Sequence, residues 1–219
     1  MQDHHGNRDP FHSVIIHKPV VPMLSKGLTE YKLILASQSP RRQYLMKELG
    51  LEFKVLATNV KEVYPENLTP SEIAIYLAEL KADSFDVAHQ PENSIIITAD
   101  TLVYINNEIL GKPGNYQEAV EMLQKLSGKK HEVITAVCLK SKKNRKTFHV
   151  VSSVYFKELS MDEIDYYIGN FQPFDKAGGY GVQEWIGYVG ISKIEGSYFN
   201  IMGLPVKELY EELLKFCAT

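Results

Sequence analysis

Two adjacent arginines, Arg41 and Arg42, follow a Ser-Gln-Ser-Pro turn and could bind a polyanion. Ser39 is a good helix N-cap and Pro40 suits the first helical position, which places both arginines in a predicted first turn. A cation in the first turn interacts unfavourably with the helix dipole, at a cost of roughly 0.3–1 kcal/mol. The free N–H groups at that end of the helix attract anions. With the hydroxyl of Ser37, the two arginines would form a cradle for phosphate groups. The alternative is two solvated surface arginines.

A single carboxylate, Asp100, follows the apolar run that begins at Ile95. Such a run is typical of a central strand covered on both faces, and α/β sheets place their chemistry at the carboxyl ends of these strands. We therefore expect Asp100 at the end of that strand, where it could orient an attacking water or bind a divalent metal. The alternative is a structural aspartate that caps a turn.

Further polar residues could join this arginine and carboxylate chemistry. They are Glu62, Lys81, Lys112, Asp175, Lys176 and Gln183. Four or five cations with two or three carboxylates suit a nucleotide polyphosphate together with Mg²⁺ or Mn²⁺. A single lysine such as Lys81 is more often a solvated surface residue, so the prediction depends on the whole group.

Several common catalytic motifs are absent from the sequence. There is no GxxxxGK[ST], which excludes a P-loop site, and no GxGxxG after a strand, which disfavours a dinucleotide fold. The sequence also contains no GxSxG motif and no Cys–His pairing, so nothing in it indicates acyl transfer.

Composition narrows the class of protein further. Lys and Arg number 24 against 27 Asp and Glu, a net charge of −3, so the chain has no electrostatic case for binding nucleic acid. Cys138 and Cys217 lie far apart, and we expect free buried thiols in a reducing compartment. No apolar run approaches the roughly 18 residues of a membrane span, and no signal peptide is evident. We therefore predict a cytoplasmic protein that binds no membrane.

The elements that must position these residues form one predicted α/β domain over 31–219. Residues 1–30 hold three prolines and no sustained period, which indicates a partly disordered extension. The domain should contain a mixed sheet flanked by helices, with two lobes around a cleft. The main predicted elements are a strand at 33–36, a helix to Gly50, a strand at 51–55, a helix from Thr69 to about Val87, a hairpin at Asn106-Asn107, a strand from Tyr188 to Ile194 and a last helix after Pro205.

Six segments together resemble one known family. They are ILASQSPRR, ITADTLVY, LGKP, KLSGKKHEVITAV, DKAGGYGVQ and GSYFNIMGLP, all in order between about Lys32 and Phe216. The chain resembles the Maf family, the septum-formation-inhibitor-type nucleotide pyrophosphatases. That resemblance implies an inosine-triphosphatase-like fold, commonly a homodimer. It also implies hydrolysis of nucleoside triphosphates to the monophosphate and pyrophosphate.

The resemblance also implies roles for particular residues. Phosphate binding falls on Ser37, Arg41, Arg42 and Lys112, and the metal and water fall on Glu62 and Asp100. Members that act on dTTP and UTP are similar to this chain in having Arg42, Lys81 and Gln183. The ranking of dTTP, UTP and modified pyrimidine nucleotides stays open, as does the choice between Mg²⁺ and Mn²⁺.

Two other classes of function remain as alternatives. One is a nucleotide-binding regulator of cell division without significant turnover, which release of pyrophosphate from dTTP would distinguish from an enzyme. The other is a nucleic-acid-binding module, which the acidic net charge opposes.

Overall fold

The computed structural model describes residues 27–57 and 60–218, and a seven-stranded mixed sheet forms its centre. The strand order is β2-β1-β3-β5-β6-β7, with β4 paired to β3. The strands are β1 (Lys32–Leu35), β2 (Phe53–Val55), β3 (Ser94–Ile105), β4 (Glu108–Leu110), β5 (Lys130–Lys140), β6 (Arg145–Phe156) and β7 (Ile191–Glu195). The α-helices are α1 (Pro40–Glu48), α2 (Pro70–Asp83), α3 (Tyr116–Leu126), α4 (Met161–Phe171), α5 (Trp185–Gly190), α6 (Tyr198–Met202) and α7 (Val206–Cys217). Most of the predicted extension, 1–26, lies outside the described residues.

Helices cover both faces of this sheet. On one face, α2 buries Ile73, Leu77 and Ala78 against Ile134 and Cys138 of β5. On the other face, α1, α3, α4 and α7 contribute to a larger apolar core with the inward side chains of β1, β3 and β5. Burial of apolar surface on both faces stabilises the layered arrangement. The predicted mixed α/β sheet flanked by helices is confirmed.

Strand β3 pairs in parallel with β1 on one edge and antiparallel with β5 on the other, and this corrects the predicted position of Asp100. Strand β1 pairs in parallel with β3 only as far as Leu35 and Ile97. Strand β3 then continues to Ile105 because β5 pairs with it in antiparallel fashion, with Asp100 opposite Ala136. Asp100 therefore lies inside a 12-residue strand and does not follow it. It stands three residues beyond the end of the parallel pairing, where the neighbour β1 has already turned away.

Two other element boundaries differ from the predictions. Helix α2 ends at Asp83 and not near Val87, because Asp86 accepts a hydrogen bond from the Ala88 N–H and starts a separate short 3-10 turn. The stretch predicted as one strand from Tyr188 begins in helix α5, and only Ile191–Glu195 forms β7. The short helix α6, capped by Ser197, follows β7.

The local signals around the first helix and the hairpin are confirmed. Ser39 accepts a hydrogen bond from the Arg42 N–H, and Pro40 is the first residue of α1. Asn106 and Asn107 both have positive φ, 50° and 62°, as a tight two-residue hairpin requires. Cys138 and Cys217 are free, but Cys217 is only partly buried. Within residues 27–57 and 60–218, no helix combines the length and the apolar character needed to cross a membrane.

Candidate active site

A cleft of about 670 Å³ opens between the start of α1, the middle of β3 and the loop that follows α4. All ten residues that the sequence nominated line this cleft, although they come from positions spread over almost 150 residues of chain. They are Ser37, Arg41, Arg42, Glu62, Lys81, Asp100, Lys112, Asp175, Lys176 and Gln183. The structure thus brings together the whole predicted group, while the role of each member stays a prediction.

The turn before α1 forms one wall of the cleft. Ser37 is buried, and its hydroxyl accepts the Ser39 N–H at 3.2 Å. The guanidinium of Arg41 donates to the carboxylate of Asp175 at 2.7 Å, and its side chain is 23% exposed. A partly exposed guanidinium at a helix N-terminus can bind a phosphate group, and Asp175 holds it at the cleft.

Arg42 differs from Arg41 because its donors are directed into the protein. Its Nε donates to the Gly203 carbonyl at 2.8 Å, and its two terminal nitrogens donate to the Ala99 carbonyl at 2.8 Å and the Thr101 hydroxyl at 3.0 Å. Burial lowers the pKa of Arg42, while the charge of Asp100 raises it and that of Arg41 lowers it further. Arg42 therefore joins α1, β3 and the segment after α6 at the floor of the cleft.

An ion-paired triad lies beside Arg42, which bonds to the residues on either side of Asp100. The ammonium of Lys81, on α2, donates to the carboxylate of Asp100 and lies 2.9 Å from an oxygen of Glu62. Lys81 is 9% exposed and Asp100 is 5% exposed, whereas the side chain of Glu62 is about half exposed. A buried charge needs a partner of opposite sign, so Lys81 and Asp100 hold each other in place.

The two carboxylates of the triad have opposite pKa shifts. Burial raises the pKa of Asp100 above its usual range, and the opposing charge and hydrogen bond of Lys81 do not cancel that effect. Burial also raises the pKa of Glu62, but the hydrogen bond and charge of Lys81, with those of Lys112 and Arg42, bring it below its usual value. A carboxylate with a raised pKa is the better proton acceptor, so Asp100 is the stronger candidate for a general base.

The loop after α4 forms the third wall. Gln183 lines the cleft, and its buried Oε1 has no hydrogen-bond partner in the part of the chain that the structure describes. An amide oxygen left without a partner is available to a ligand donor. Lys112, on the turn between β4 and α3, contributes positive charge near Glu62.

Two groups at the site were not singled out from the sequence. The hydroxyl of Thr101 and the carbonyl of Gly203 both hold Arg42, and Thr101 also contacts the Thr135 hydroxyl at 3.0 Å. The segment GSYFNIMGLP, which carries part of the family resemblance, contains Gly203. A backbone acceptor has no side-chain signature, and this one could not be identified without the fold.

Comparison with known proteins places the chain in a family. The sequence model of the family described as "Maf-like protein" matches residues 32–216. A protein of Flavobacterium johnsoniae named dTTP/UTP pyrophosphatase is 48% identical over 191 residues, 87% of this chain and 98% of that protein. A protein of Bacteroides thetaiotaomicron with the same name is 50% identical over 190 residues, 86% of this chain and 98% of that protein. The chain belongs to the Maf-like protein family.

A more distant likeness exists among solved structures. The structure of the Staphylococcus aureus Ham1 protein aligns with a TM-score of 0.48 and 14% identity, covering 84% of this chain and 99% of that one. A likeness at this distance supports no conclusion about activity.

Proposed function

We propose that this protein is a nucleoside triphosphate pyrophosphatase that hydrolyses dTTP and UTP to the monophosphate and pyrophosphate. The observation that carries the proposal is the buried pair of Lys81 and Asp100 in a cleft whose facing wall presents Arg41. Relatives at 48% and 50% identity, spanning nearly their whole length, are named dTTP/UTP pyrophosphatases. The family assignment and the chemistry of the cleft therefore favour the same reaction.

Each wall of the cleft has a proposed part in the reaction. Arg41 and Lys112 bind phosphate oxygens and offset the charge that develops on them. Asp100 orients a water against the α-phosphorus and accepts its proton. As the water oxygen bonds to the α-phosphorus, the bond from that phosphorus to the bridging oxygen breaks and pyrophosphate leaves. Lys81 lies within contact of Asp100 and keeps this carboxylate aligned.

The donor set also fits a divalent metal, Mg²⁺ or Mn²⁺. Glu62 and Asp100 both contact the ammonium of Lys81, so the two carboxylates lie close together in the cleft. The described residues hold no group of three or more His, Cys, Asp or Glu side chains placed to bind a metal. Two carboxylates suit Mg²⁺, which in nucleotide sites takes its other ligands from phosphate and water. When bound there, the ion would offset charge on the phosphate groups.

Recognition of the base is proposed for Gln183. The edge of thymine or uracil presents a carbonyl acceptor beside an N–H donor, and an amide side chain offers the complementary donor and acceptor. The buried Oε1 of Gln183, without a partner in the described residues, is placed to accept from that N–H. Modified pyrimidine nucleotides that keep this edge are further proposed substrates.

The test is a screen of nucleoside triphosphates for release of pyrophosphate with Mg²⁺ or Mn²⁺ present. We expect release from dTTP and UTP that exceeds release from purine triphosphates. Tight binding of dTTP with no pyrophosphate released would instead support the regulator without turnover. The homodimer, the cytoplasmic location and the absence of nucleic-acid binding stay predictions.

A further inference from the structure

The hydroxyl of Tyr167 contacts two parts of the turn that carries Gln183. Tyr167 lies on α4 and is fully buried. Its hydroxyl accepts the Gly181 N–H at 2.9 Å and donates to the carboxylate of Glu184. Burial raises the pKa of Tyr167, and the hydrogen bond to Glu184 raises it further, so the hydroxyl keeps its proton. One side chain from the scaffold thus holds both ends of the turn from Gly181 to Glu184.

The turn itself packs the amide of Gln183 against its own backbone. The Glu184 N–H donates to the Gly181 carbonyl at 3.0 Å, which closes the turn. A Cβ added at Gly181 would lie 2.9 Å from Nε2 of Gln183 and 2.8 Å from Cδ of Glu184. The amide of Gln183 and the carboxylate of Glu184 therefore both lie close against the backbone of the turn at Gly181.

A series of ion pairs connects Glu184 to Arg41, the arginine proposed to bind phosphate. Glu184 lies 3.0 Å from the ammonium of Lys176, which is 2.7 Å from Asp175. Asp175 in turn accepts from Arg41 at 2.7 Å. Lys176 is 7% exposed, and a buried ammonium requires these partners. Two cations and two carboxylates therefore alternate from the phosphate cradle to the turn that presents Gln183.

An amide can face a base in two orientations, and only one of them selects thymine and uracil. Cytosine presents its donor and its acceptor in the opposite order, so a Gln183 amide that rotates by half a turn would accept it. Discrimination against cytosine therefore requires that the amide be held by its surroundings. Selective sites depend on such supporting contacts, which fix the groups that touch the substrate.

We propose that Tyr167 and Glu184 are positioning residues for base selection, which hold the turn so that the Gln183 amide faces the base in one orientation. Neither residue contacts the substrate in this account. The inference rests on the proposed function, because it concerns how the same cleft chooses among pyrimidine nucleotides.

The test compares Tyr167→Phe with the unchanged protein, using dTTP, UTP, dCTP and CTP. The variant keeps the ring and removes only the hydroxyl. We expect KM for dTTP to rise about tenfold, kcat to change less than about threefold, and the preference in kcat/KM for dTTP over dCTP to fall about tenfold or more. Tyr155→Phe is the matched control, because it removes a hydroxyl that donates to Glu195 at 2.8 Å on strands away from the cleft.

A second variant, Glu184→Gln, removes the charge that pairs with Lys176 and keeps the side-chain shape. Thermal unfolding shows whether each variant is folded, and Glu184→Gln alone decides the matter if Tyr167→Phe does not fold. If the unchanged protein hydrolyses dTTP and the folded variants keep its full selectivity, this inference is wrong and the proposed function stands. If the unchanged protein hydrolyses no nucleoside triphosphate, the proposed function fails and the inference fails with it.

Discussion

The ammonium of Lys81 donates a hydrogen bond to the carboxylate of Asp100, and both residues are buried. Lys81 lies on helix α2, which covers one face of the sheet, and Asp100 lies in the middle of strand β3. Burial of an ion pair is rarely favourable for stability alone. Because this pair lines the cleft, the proposed function predicts that the charge of Asp100 matters for turnover.

Replacement of the carboxylate tests that interpretation. Asp100→Asn keeps the shape and removes the charge, and we expect turnover of dTTP to fall by on the order of 10² or more. Affinity for dTTP should be kept or increased, since a negative charge beside a polyanion is lost. Asp162→Asn, an exposed position in the first turn of α4, is the control. An Asp100→Asn protein that melts earlier but hydrolyses dTTP normally would show a structural aspartate.

The proposed phosphate contact of Arg41 predicts different effects for its replacement by alanine and by lysine. Arg41→Ala should lower kcat/KM for dTTP about tenfold or more, because a charge-assisted hydrogen bond to phosphate is lost. Arg41→Lys should recover only part of this, since an ammonium cannot form the two parallel bonds of a guanidinium. Steady-state kinetics of both variants measure the difference. Normal kinetics for Arg41→Ala would identify Arg41 as a residue that serves only its ion pair with Asp175.

Base recognition depends on the ability of Gln183 to donate as well as accept. Gln183→Glu should lower kcat/KM for dTTP and UTP by roughly 10- to 100-fold, because a carboxylate cannot donate and repels the base carbonyl. Gln124→Glu makes the same change of charge on the exposed face of α3 and should behave as the unchanged protein. Equal hydrolysis of dTTP by the Gln183 and Gln124 variants would rule out contact between Gln183 and the base.

A buried histidine makes folding stability depend on pH. His131 is 2% exposed, its Nε2 lies 2.8 Å from the Tyr180 hydroxyl and its ring stacks on Phe156, and burial lowers its pKa from 6.5 to about 4. The unfolded chain binds a proton at this histidine below pH 6.5, whereas the folded protein does not until about pH 4. The contribution of His131 to the free energy of unfolding, about 3 kcal/mol, is therefore fully present above pH 6.5 and is lost as the pH falls toward 4.

Chemical denaturation between pH 4 and pH 7 measures this effect. We expect the free energy of unfolding to fall less steeply with decreasing pH in His131→Gln than in the unchanged protein. The difference between the two proteins isolates His131, because both proteins contain the same carboxylates. Parallel pH profiles for the two proteins would contradict the pKa assigned to His131.

Local sequence signals predicted the turn before α1, whereas the positions of the other cleft residues depend on contacts between distant segments. Ser39 and Pro40 set the start of α1 through contacts within a few residues, so the sequence alone places Arg41 correctly. The length of β3 beyond Ala99 depends on β5, which begins 31 residues later, and no local pattern reports that pairing. The contacts of Lys81 with Asp100 and of Arg42 with Gly203 likewise join distant segments.

The central claim is that water attacks the α-phosphorus of a pyrimidine nucleoside triphosphate in this cleft. The most direct test is hydrolysis of dTTP in water enriched with the heavy oxygen isotope, followed by mass spectrometry of both products. We expect one heavy oxygen in dTMP and none in pyrophosphate, and we expect Asp100→Asn to abolish the reaction or nearly so. Heavy oxygen in inorganic phosphate or in pyrophosphate, with dTDP formed or dTMP unlabelled, would contradict it.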